Sequence, residues 1–292
     1  MAGPVCGHDE RPVEHGGLVT RDDHRGSITL EKVTQRFALP REGREFTAVQ
    51  DVSFEVGSGE FVSIVGPSGC GKSTLLSLIA GLVPVTEGRI SLDGQPVDGV
   101  NQRLGFVFQR DALFPWKTVA QNVGLPLLFR GVDAAAARPR VAEWIARIGL
   151  TGFEDYHPHQ LSGGMRKRVA LAMTMVYDPE IVLMDEPFGA LDVQTRNLME
   201  NDLLEIWAQW RRTVVFVTHD LEEAIALSDR IVVMTASPGR VKAIYPIDLP
   251  RPRSVTEIRF HPDFGRLYET IWKDLKDEVR VGYERSQKSL PG

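Results

Sequence analysis

The hydrophobic pattern first predicts an α/β unit in the N-terminal third of the chain. Residues 28–33 and 52–56 alternate between apolar and polar side chains, and residues 61–65 form a compact apolar run. Alternation is typical of half-covered strands, whereas an unbroken apolar run is typical of a strand covered on both faces. A glycine-rich loop and a helical pattern over residues 75–82 follow at once. Strand, loop and helix in this order predict the first unit of an α/β sheet.

The pattern becomes helical in the middle of the chain and then returns to strands. Val141, Trp144, Ile145 and Ile148 recur at the spacing of one helix face within residues 113–176. Residues 181–184 and 213–217 are again unbroken apolar runs. We therefore predict a helical insert between two parts of one mostly parallel sheet.

Strand and helix patterns also fill the C-terminal third. Residues 231–234 and 241–247 flank the turn Ser237-Pro238-Gly239, which predicts a hairpin. Two amphipathic stripes indicate helices that pack on the body of the protein. Their apolar positions are Met199, Leu203, Ile206, Trp207 and Trp210, and then Phe264, Leu267, Tyr268, Ile271, Trp272, Leu275 and Val279.

Composition narrows the class of protein. Of 292 residues, 42% are hydrophobic and 25% charged, proportions of a globular chain that exclude a disordered or fibrous protein. A formal charge of -5 gives no general basic field, so no nucleic-acid partner is expected. Two cysteines make no disulfide framework, and the sequence shows neither a secretory start nor a membrane-spanning run. We expect a soluble cytoplasmic protein, or one on the cytoplasmic side of a membrane, with a disordered tail over residues 1–27.

Residues 66–73 match G-x-x-x-x-G-K-[ST] in full and predict a phosphate-binding loop. Glycines let successive N–H groups face an anion, and the following helix adds its positive end. Lys72 is expected to bind the β- and γ-phosphates, and the Ser73 hydroxyl to ligate Mg²⁺. The predicted nucleotide-binding residues here are Gly66, Pro67, Ser68, Gly69, Cys70, Gly71, Lys72, Ser73 and Thr74.

Two carboxylates follow the apolar strand at residues 181–184. Asp185, at the carboxyl end of a parallel strand, is expected to reach Mg²⁺. Glu186 points elsewhere because strand side chains alternate, and there it would polarise the water that attacks the γ-phosphate.

A second glycine-rich helix start lies at Leu161-Ser162-Gly163-Gly164, and with it the sequence resembles the ATP-binding subunits of ABC transporters. In that family this signature crosses a head-to-tail dimer to the other subunit's ATP, which assigns Ser162, Gly163 and Gly164 to nucleotide binding. Met165 and Lys167 depart from the glutamines of many relatives, a departure we consider minor.

Further motifs extend the resemblance over roughly residues 28–250. Gln109 matches the Q-loop, which contacts Mg²⁺ and the attacking water. Asp192 ends the D-loop motif at residues 189–192, and His219 matches the switch histidine at the γ-phosphate. The resemblance implies a P-loop NTPase fold with a mostly parallel core sheet, an antiparallel β subdomain and a helical subdomain at about residues 110–177. A C-terminal extension with an amphipathic helix would occupy residues 251–292.

The family stacks adenine on an aromatic residue before the phosphate loop. Phe37 is our choice, and Phe46 competes with it.

Finer motifs at residues 113–116, 186–192, 237–240 and 248–252 resemble the importer branch that serves nitrate, sulfonates, taurine and bicarbonate. The resemblance implies an ATPase homodimer bound to two integral membrane permease subunits, with a solute-binding protein as an indirect partner, at the cytoplasmic face of the membrane. An exporter or lipid-traffic subunit, a soluble non-transport ATPase and a P-loop kinase remain as alternatives. The transported solute is not readable from these residues.

Overall fold

The computed structural model describes residues 25–39 and 44–288. Most of the predicted N-terminal tail lies outside the described residues. The strands are β1 (Ile28–Leu39), β2 (Arg44–Val56), β3 (Phe61–Val65), β4 (Glu87–Leu92), β5 (Gln95–Pro96), β6 (Leu104–Val107), β7 (Ile181–Asp185), β8 (Thr213–Thr218), β9 (Arg230–Met234) and β10 (Val241–Pro246). The helices are α1 (Lys72–Ile79), α2 (Val119–Phe129), α3 (Ala134–Arg147), α4 (Gly163–Met175), α5 (Val193–Trp210), α6 (Leu221–Leu227), α7 (Val255–Ile258) and α8 (Pro262–Lys288).

The described strands form two sheets. The larger has the order β10-β9-β3-β8-β7-β6, and its strands are parallel except for β10, which pairs antiparallel with β9. The smaller sheet, β2-β1-β4-β5, is antiparallel throughout. The predicted mostly parallel core, antiparallel subdomain and C-terminal hairpin are confirmed.

The larger sheet is covered on both faces, as its unbroken apolar strands predict. In β7, Ile181 and Leu183 pack in the cluster that includes α1 and the antiparallel sheet. Val182 and Met184 alternate with them and pack in the cluster that includes the helices of the insert. Because successive strand residues point to opposite faces, one short strand joins the two halves of the core.

The helical insert contains α2, α3 and α4, between β6 and β7. Asn122 of α2 is fully buried, and its side chain bonds backbone groups of the loop that precedes the helix. Its Oδ1 accepts a hydrogen bond from the Phe114 N–H at 2.8 Å, and its Nδ2 donates to the Lys117 carbonyl at 3.0 Å. One amide thereby fixes the loop after the predicted Q-loop against the insert.

Arg253 binds the C-terminal extension to the body of the protein. Arg253 is buried and donates to backbone carbonyl oxygens at the end of α6, including Ser228 O at 2.6 Å. Burial lowers the pKa of Arg253 to about 10. Phe264, Ile271 and Leu275 of α8 are buried, which confirms the prediction of packing on the body for these positions, whereas Trp272 and Val279 of the same stripe are exposed. Among the described helices, none is both long and apolar enough to span a bilayer.

Two buried carboxyl groups face each other between α5 and α6. Glu200 has no solvent exposure, and Glu223 is 5% exposed. Burial raises the pKa of Glu200 to about 9, and the charges of Glu223 and Asp220 add to the rise, while Arg259 opposes it. Burial also raises the pKa of Glu223. Glu200 therefore carries its proton at neutral pH.

We expect Glu200→Gln to flatten the dependence of stability on pH. A carboxyl whose pKa is raised on folding binds a proton that the unfolded chain releases, so wild-type stability falls as pH rises from the ordinary value of 4.5 towards 9. The neutral amide removes this loss and stabilises the variant relative to wild type at about pH 8. Urea unfolding at a series of pH values measures the effect. Glu205→Gln, at an exposed position of the same helix, is the control, and parallel curves for the two variants would contradict the expectation.

Candidate functional site

The predicted phosphate loop lies between β3 and α1, at the carboxyl end of a central parallel strand. Gly71 precedes α1 with a φ of 99°, in the left-handed region that glycine adopts without strain. A Cβ at Gly71 would lie 2.5 Å from Val49 Cγ1 and 2.8 Å from the Ala48 carbonyl oxygen. The loop thus needs glycine here both for its conformation and for its close approach to β2. It leaves the N–H groups at the start of α1 available to an anion.

Lys72 is held close to the loop backbone. Its side chain is 6% exposed, and Nζ donates to the carbonyl oxygens of Gly66 at 2.9 Å and Pro67 at 3.1 Å. Cys70 is buried behind the loop, and burial raises the pKa of its thiol. The structure therefore places the Lys72 charge within the loop and the Cys70 side chain in the core.

Ser73 and Asp185 meet at the end of the loop. The Ser73 hydroxyl donates to Asp185 Oδ1 at 2.9 Å, although 112 positions separate them in sequence. Burial raises the pKa of Asp185 and the adjacent Glu186 charge adds to the rise, while Ser73 and Lys72 lower it. A hydroxyl and a carboxylate side by side are oxygen donors suited to Mg²⁺, which in nucleotide sites combines a few protein oxygens with substrate phosphates and water. Among the described residues there is no group of three or more His, Cys, Asp or Glu side chains that could hold a metal by itself.

Two other predicted site residues, Gln109 and His219, contact the Glu186 side chain. Its Oε2 lies 3.1 Å from His219 Nδ1 and accepts a hydrogen bond from Gln109 Nε2 at 3.4 Å. The Glu186 backbone has a φ of 41°, a conformation that costs a non-glycine residue about 1–3 kcal/mol and concentrates at functional sites. The ends of β6, β7 and β8 thus bring together three residues that the sequence placed far apart.

One of the two buried carboxyl groups, Glu223, helps to fix the backbone beside His219. The preceding residue, Thr218, donates its hydroxyl proton to Glu223, and the Asp220 N–H donates to Thr218 Oγ1 at 3.0 Å. Asp220 in turn caps α6 through the N–H groups of Glu222 and Glu223. These bonds on both sides fix the backbone that carries the imidazole.

The signature residues lie on the helical insert, at the start of α4. Ser162 caps this helix, and its hydroxyl accepts a hydrogen bond from the Met165 N–H at 3.2 Å. A Cβ on Gly163 would lie 3.7 Å from Leu191 Cδ2, and one on Gly164 would lie 2.7 Å from Thr195 Cγ2. The signature therefore packs against the predicted D-loop and the first turn of α5, where Asp192 caps the helix through Thr195.

Lys167 has a role that the sequence did not indicate. It is 5% exposed, donates from Nζ to the Gln109 carbonyl oxygen at 2.6 Å, and pairs with Asp111 at 3.0 Å. Arg166 pairs with the same carboxylate at 3.0 Å. These contacts tie the signature helix to the Q-loop. No signal in the sequence indicated these contacts, because the buried side of α4 that carries Lys167 also carries Gly164 and Thr174.

The structure places Phe37 and Phe46 side by side. They are direct partners across the antiparallel β1–β2 pair, so both rings project from the same face of the sheet. Phe37 is 36% exposed and Phe46 is 42% exposed. The two residues that the sequence offered as alternatives thus form one aromatic surface.

Comparison with known proteins identifies relatives of this chain. A family model described as ABC transporter matches residues 49–189. The chain is 48% identical to an uncharacterized ABC transporter ATP-binding protein of Methanocaldococcus jannaschii, over 89% of this chain and 95% of that protein. It is 44% identical to the aliphatic sulfonates import ATP-binding protein SsuB of Bacillus licheniformis, over 82% of this chain and 91% of that protein.

A solved structure has the same fold. It is the dimeric structure of a bacterial ABC transporter cassette, which matches with a TM-score of 0.68 and 34% sequence identity over 76% of this chain and 100% of its own. The phosphate loop, Gln109, the start of α4 and Glu186 lie within the residues matched by the family model. The chain belongs to the family of ABC transporter ATP-binding proteins.

Proposed function

We propose that this chain is the ATPase subunit of an importer and that ATP hydrolysis by its homodimer drives uptake of a small solute. The convergence of Gln109, Glu186 and His219 beside the Ser73–Asp185 pair is the observation that carries the proposal. It provides a place for a triphosphate, donors for a divalent cation and a carboxylate for the attacking water, all at one edge of the sheet.

The phosphates would be held mainly by the loop at residues 66–74. Lys72 supplies one full positive charge, and backbone N–H groups at the start of α1 supply the remaining attraction. Ser73, Asp185 and Gln109 would hold Mg²⁺, which neutralises phosphate charge when bound. Adenine would lie on the aromatic surface of Phe37 and Phe46.

Glu186 is proposed as the general base for hydrolysis. It would accept a proton from the water that attacks the γ-phosphorus, as the bond to the ADP oxygen breaks. Gln109 and His219 already contact the same carboxylate oxygen, and they would orient this water and the γ-phosphate.

In this proposal the signature at the start of α4 contacts the nucleotide that is bound to the other copy of the chain. Ser162 and its glycines lie on the insert, packed against the D-loop, and in a head-to-tail dimer they would close over the partner's nucleotide. ATP then binds both surfaces at once and shifts the population towards the closed dimer. The match to a dimeric cassette structure supports this arrangement.

The insert also offers a surface for a membrane partner. Trp116 is 70% exposed on the loop fixed by Asn122, and an apolar groove of about 460 Å³ lies between α2 and α3. We propose that two permease subunits dock on this side and hold the ATPase dimer at the cytoplasmic face of the membrane. The similarity to a sulfonate import protein favours a small anionic solute, with sulfonate first and nitrate, taurine or bicarbonate as related cargoes, delivered through a solute-binding protein.

Glu186→Gln is expected to bind ATP, accumulate as a dimer and lose turnover by about 10²–10⁴-fold. The amide keeps the size of the side chain but cannot accept the proton. ATP hydrolysis and size-exclusion chromatography with light scattering measure the two effects. Glu143→Gln, a surface carboxyl on α3, is the matched control, and full hydrolysis by Glu186→Gln would exclude this residue as the base.

We expect Phe37→Ala to weaken ATP binding by about tenfold, because a stacked base contributes about 1–3 kcal/mol. Phe46→Ala should weaken it less, and the double variant shows whether the rings act together. Calorimetric titration measures the affinities, with the exposed Phe129→Ala as control. If none of the Phe37 and Phe46 variants binds ATP more weakly than the control, adenine does not lie on this surface.

Lys167→Met should lower turnover while leaving the ATP affinity of the monomer nearly unchanged. The substitution removes the bonds to the Gln109 backbone and to Asp111 but leaves in place the phosphate loop and the two phenylalanines proposed to bind ATP in the same chain. Steady-state kinetics and titration with ATP separate the two effects, and a melting curve reports on folding. Lys276→Met, at an exposed position of α8, controls for loss of charge. Equal turnover in both variants would show that Lys167 does not position the Q-loop.

A further inference from the structure

The long C-terminal helix reaches the nucleotide site. At its far end, Gly282 of α8 lies so close to the phosphate loop that a Cβ there would be 2.9 Å from Pro67 Cβ. A groove of about 510 Å³ runs between the two, with Ser68 and His219 on one wall and Trp272 and Val279 of α8 on the other. The helix is therefore a wall of the proposed catalytic cleft.

Contacts with the body hold α8 in this position. The Glu278 carboxylate accepts hydrogen bonds from the Ala236 N–H at 2.8 Å and from Lys242 Nζ at 2.9 Å. Tyr245 donates its hydroxyl proton to Asp274 at 2.5 Å. Hydrogen bonds from β10 and from the turn before it fix the rotation of α8 about its axis. They therefore determine which face of α8 is directed at the groove.

That face is apolar and partly exposed, with Tyr268 half-buried against the core. Trp272 is 40% exposed, Val279 is 39% exposed, and the rings of Tyr268 and Trp272 stack with centroids 6.3 Å apart. We define Tyr268, Trp272 and Val279 as the α8 face. An exposed aromatic patch beside a binding cleft is typical of an interaction surface.

The element expected to approach this groove is the first turn of α5 in a second copy. The signature glycines pack directly on Leu191 and Thr195, so the signature and this turn form one rigid surface. When Ser162 of one copy closes over the other's phosphate loop, the turn must arrive beside that loop too. It carries Val193, which is 65% exposed.

We propose that the α8 face packs against Val193 and the first turn of α5 in the second copy, and so extends the ATP-driven dimer interface beyond the nucleotide. This inference rests on the head-to-tail dimer of the proposed function. The contact between the α8 face and α5 involves protein atoms alone and none of the nucleotide. The C-terminal extension thereby strengthens the closed state.

The test measures dimerisation with ATP in a Glu186→Gln background by analytical ultracentrifugation. Trp272→Ala should raise the dissociation constant of the dimer by about tenfold or more, as truncation of a buried interface tryptophan does. Val193→Ala should also raise it, and the double variant should lose less than the product of the single effects. Phe260→Ala, which removes an 87% exposed ring outside the α8 face, is the control.

Three results would overturn the inference or part of it. A dissociation constant for Trp272→Ala equal to that of the control overturns the inference, including the case in which the face binds a permease instead. Strictly independent effects of Trp272→Ala and Val193→Ala overturn the pairing with α5. If the Glu186→Gln parent itself forms no dimer with ATP, the proposed function fails and the inference fails with it.

Folding is checked on the monomer. The melting temperature of each variant, and its ATP affinity measured without dimerisation, should match those of the Glu186→Gln parent. Val279→Ser supplies a second variant in the same face if Trp272→Ala does not fold, and it is judged by the same criterion.

Discussion

The density of negative charge on a triphosphate is the constraint on which the arrangement of this protein depends. Backbone N–H groups and one buried lysine must converge on that charge, and they can do so only where the chain bends tightly against β2. Gly71 meets this requirement, since a Cβ at its position would collide with Val49 and Ala48. The parallel strands then bring Asp185, Glu186 and His219 to the same edge.

The structure divides the proposed chemistry between two parts of the fold. The phosphate loop and the Glu186 cluster lie on the large sheet, whereas the signature lies on the helical insert with the D-loop beside it. Asp111 connects the two parts through Lys167 and Arg166. These ion pairs join the Q-loop to the insert, where Trp116 is exposed and the α2–α3 groove opens. On the other side, α8 forms a wall of the cleft.

Much of the fold was predictable because its signals are local. The unbroken apolar strands and the amphipathic helices follow from side-chain periodicity, the glycine loop follows from a short motif, and the resemblance to a known family placed them in order. Lys167 shows the limit of such signals. It was considered a minor departure within the signature, but its ammonium group is buried against a carbonyl oxygen 58 positions away. No periodicity reveals a contact of that kind. The roles assigned to Gln109, Glu186 and His219 stay predictions, although their side chains do meet.

The sequence by itself determined the phosphate loop, the two carboxylates that follow a buried strand, and the covered parallel sheet, because these depend on residue type and short-range spacing. Only the tertiary structure decided that Phe37 and Phe46 are strand partners, that the buried Glu223 binds the residue before His219, and that α8 borders the phosphate loop. Strand register and helix docking depend on the sum of many weak contacts between distant segments. A linear pattern records which faces are apolar, but it does not record which faces meet.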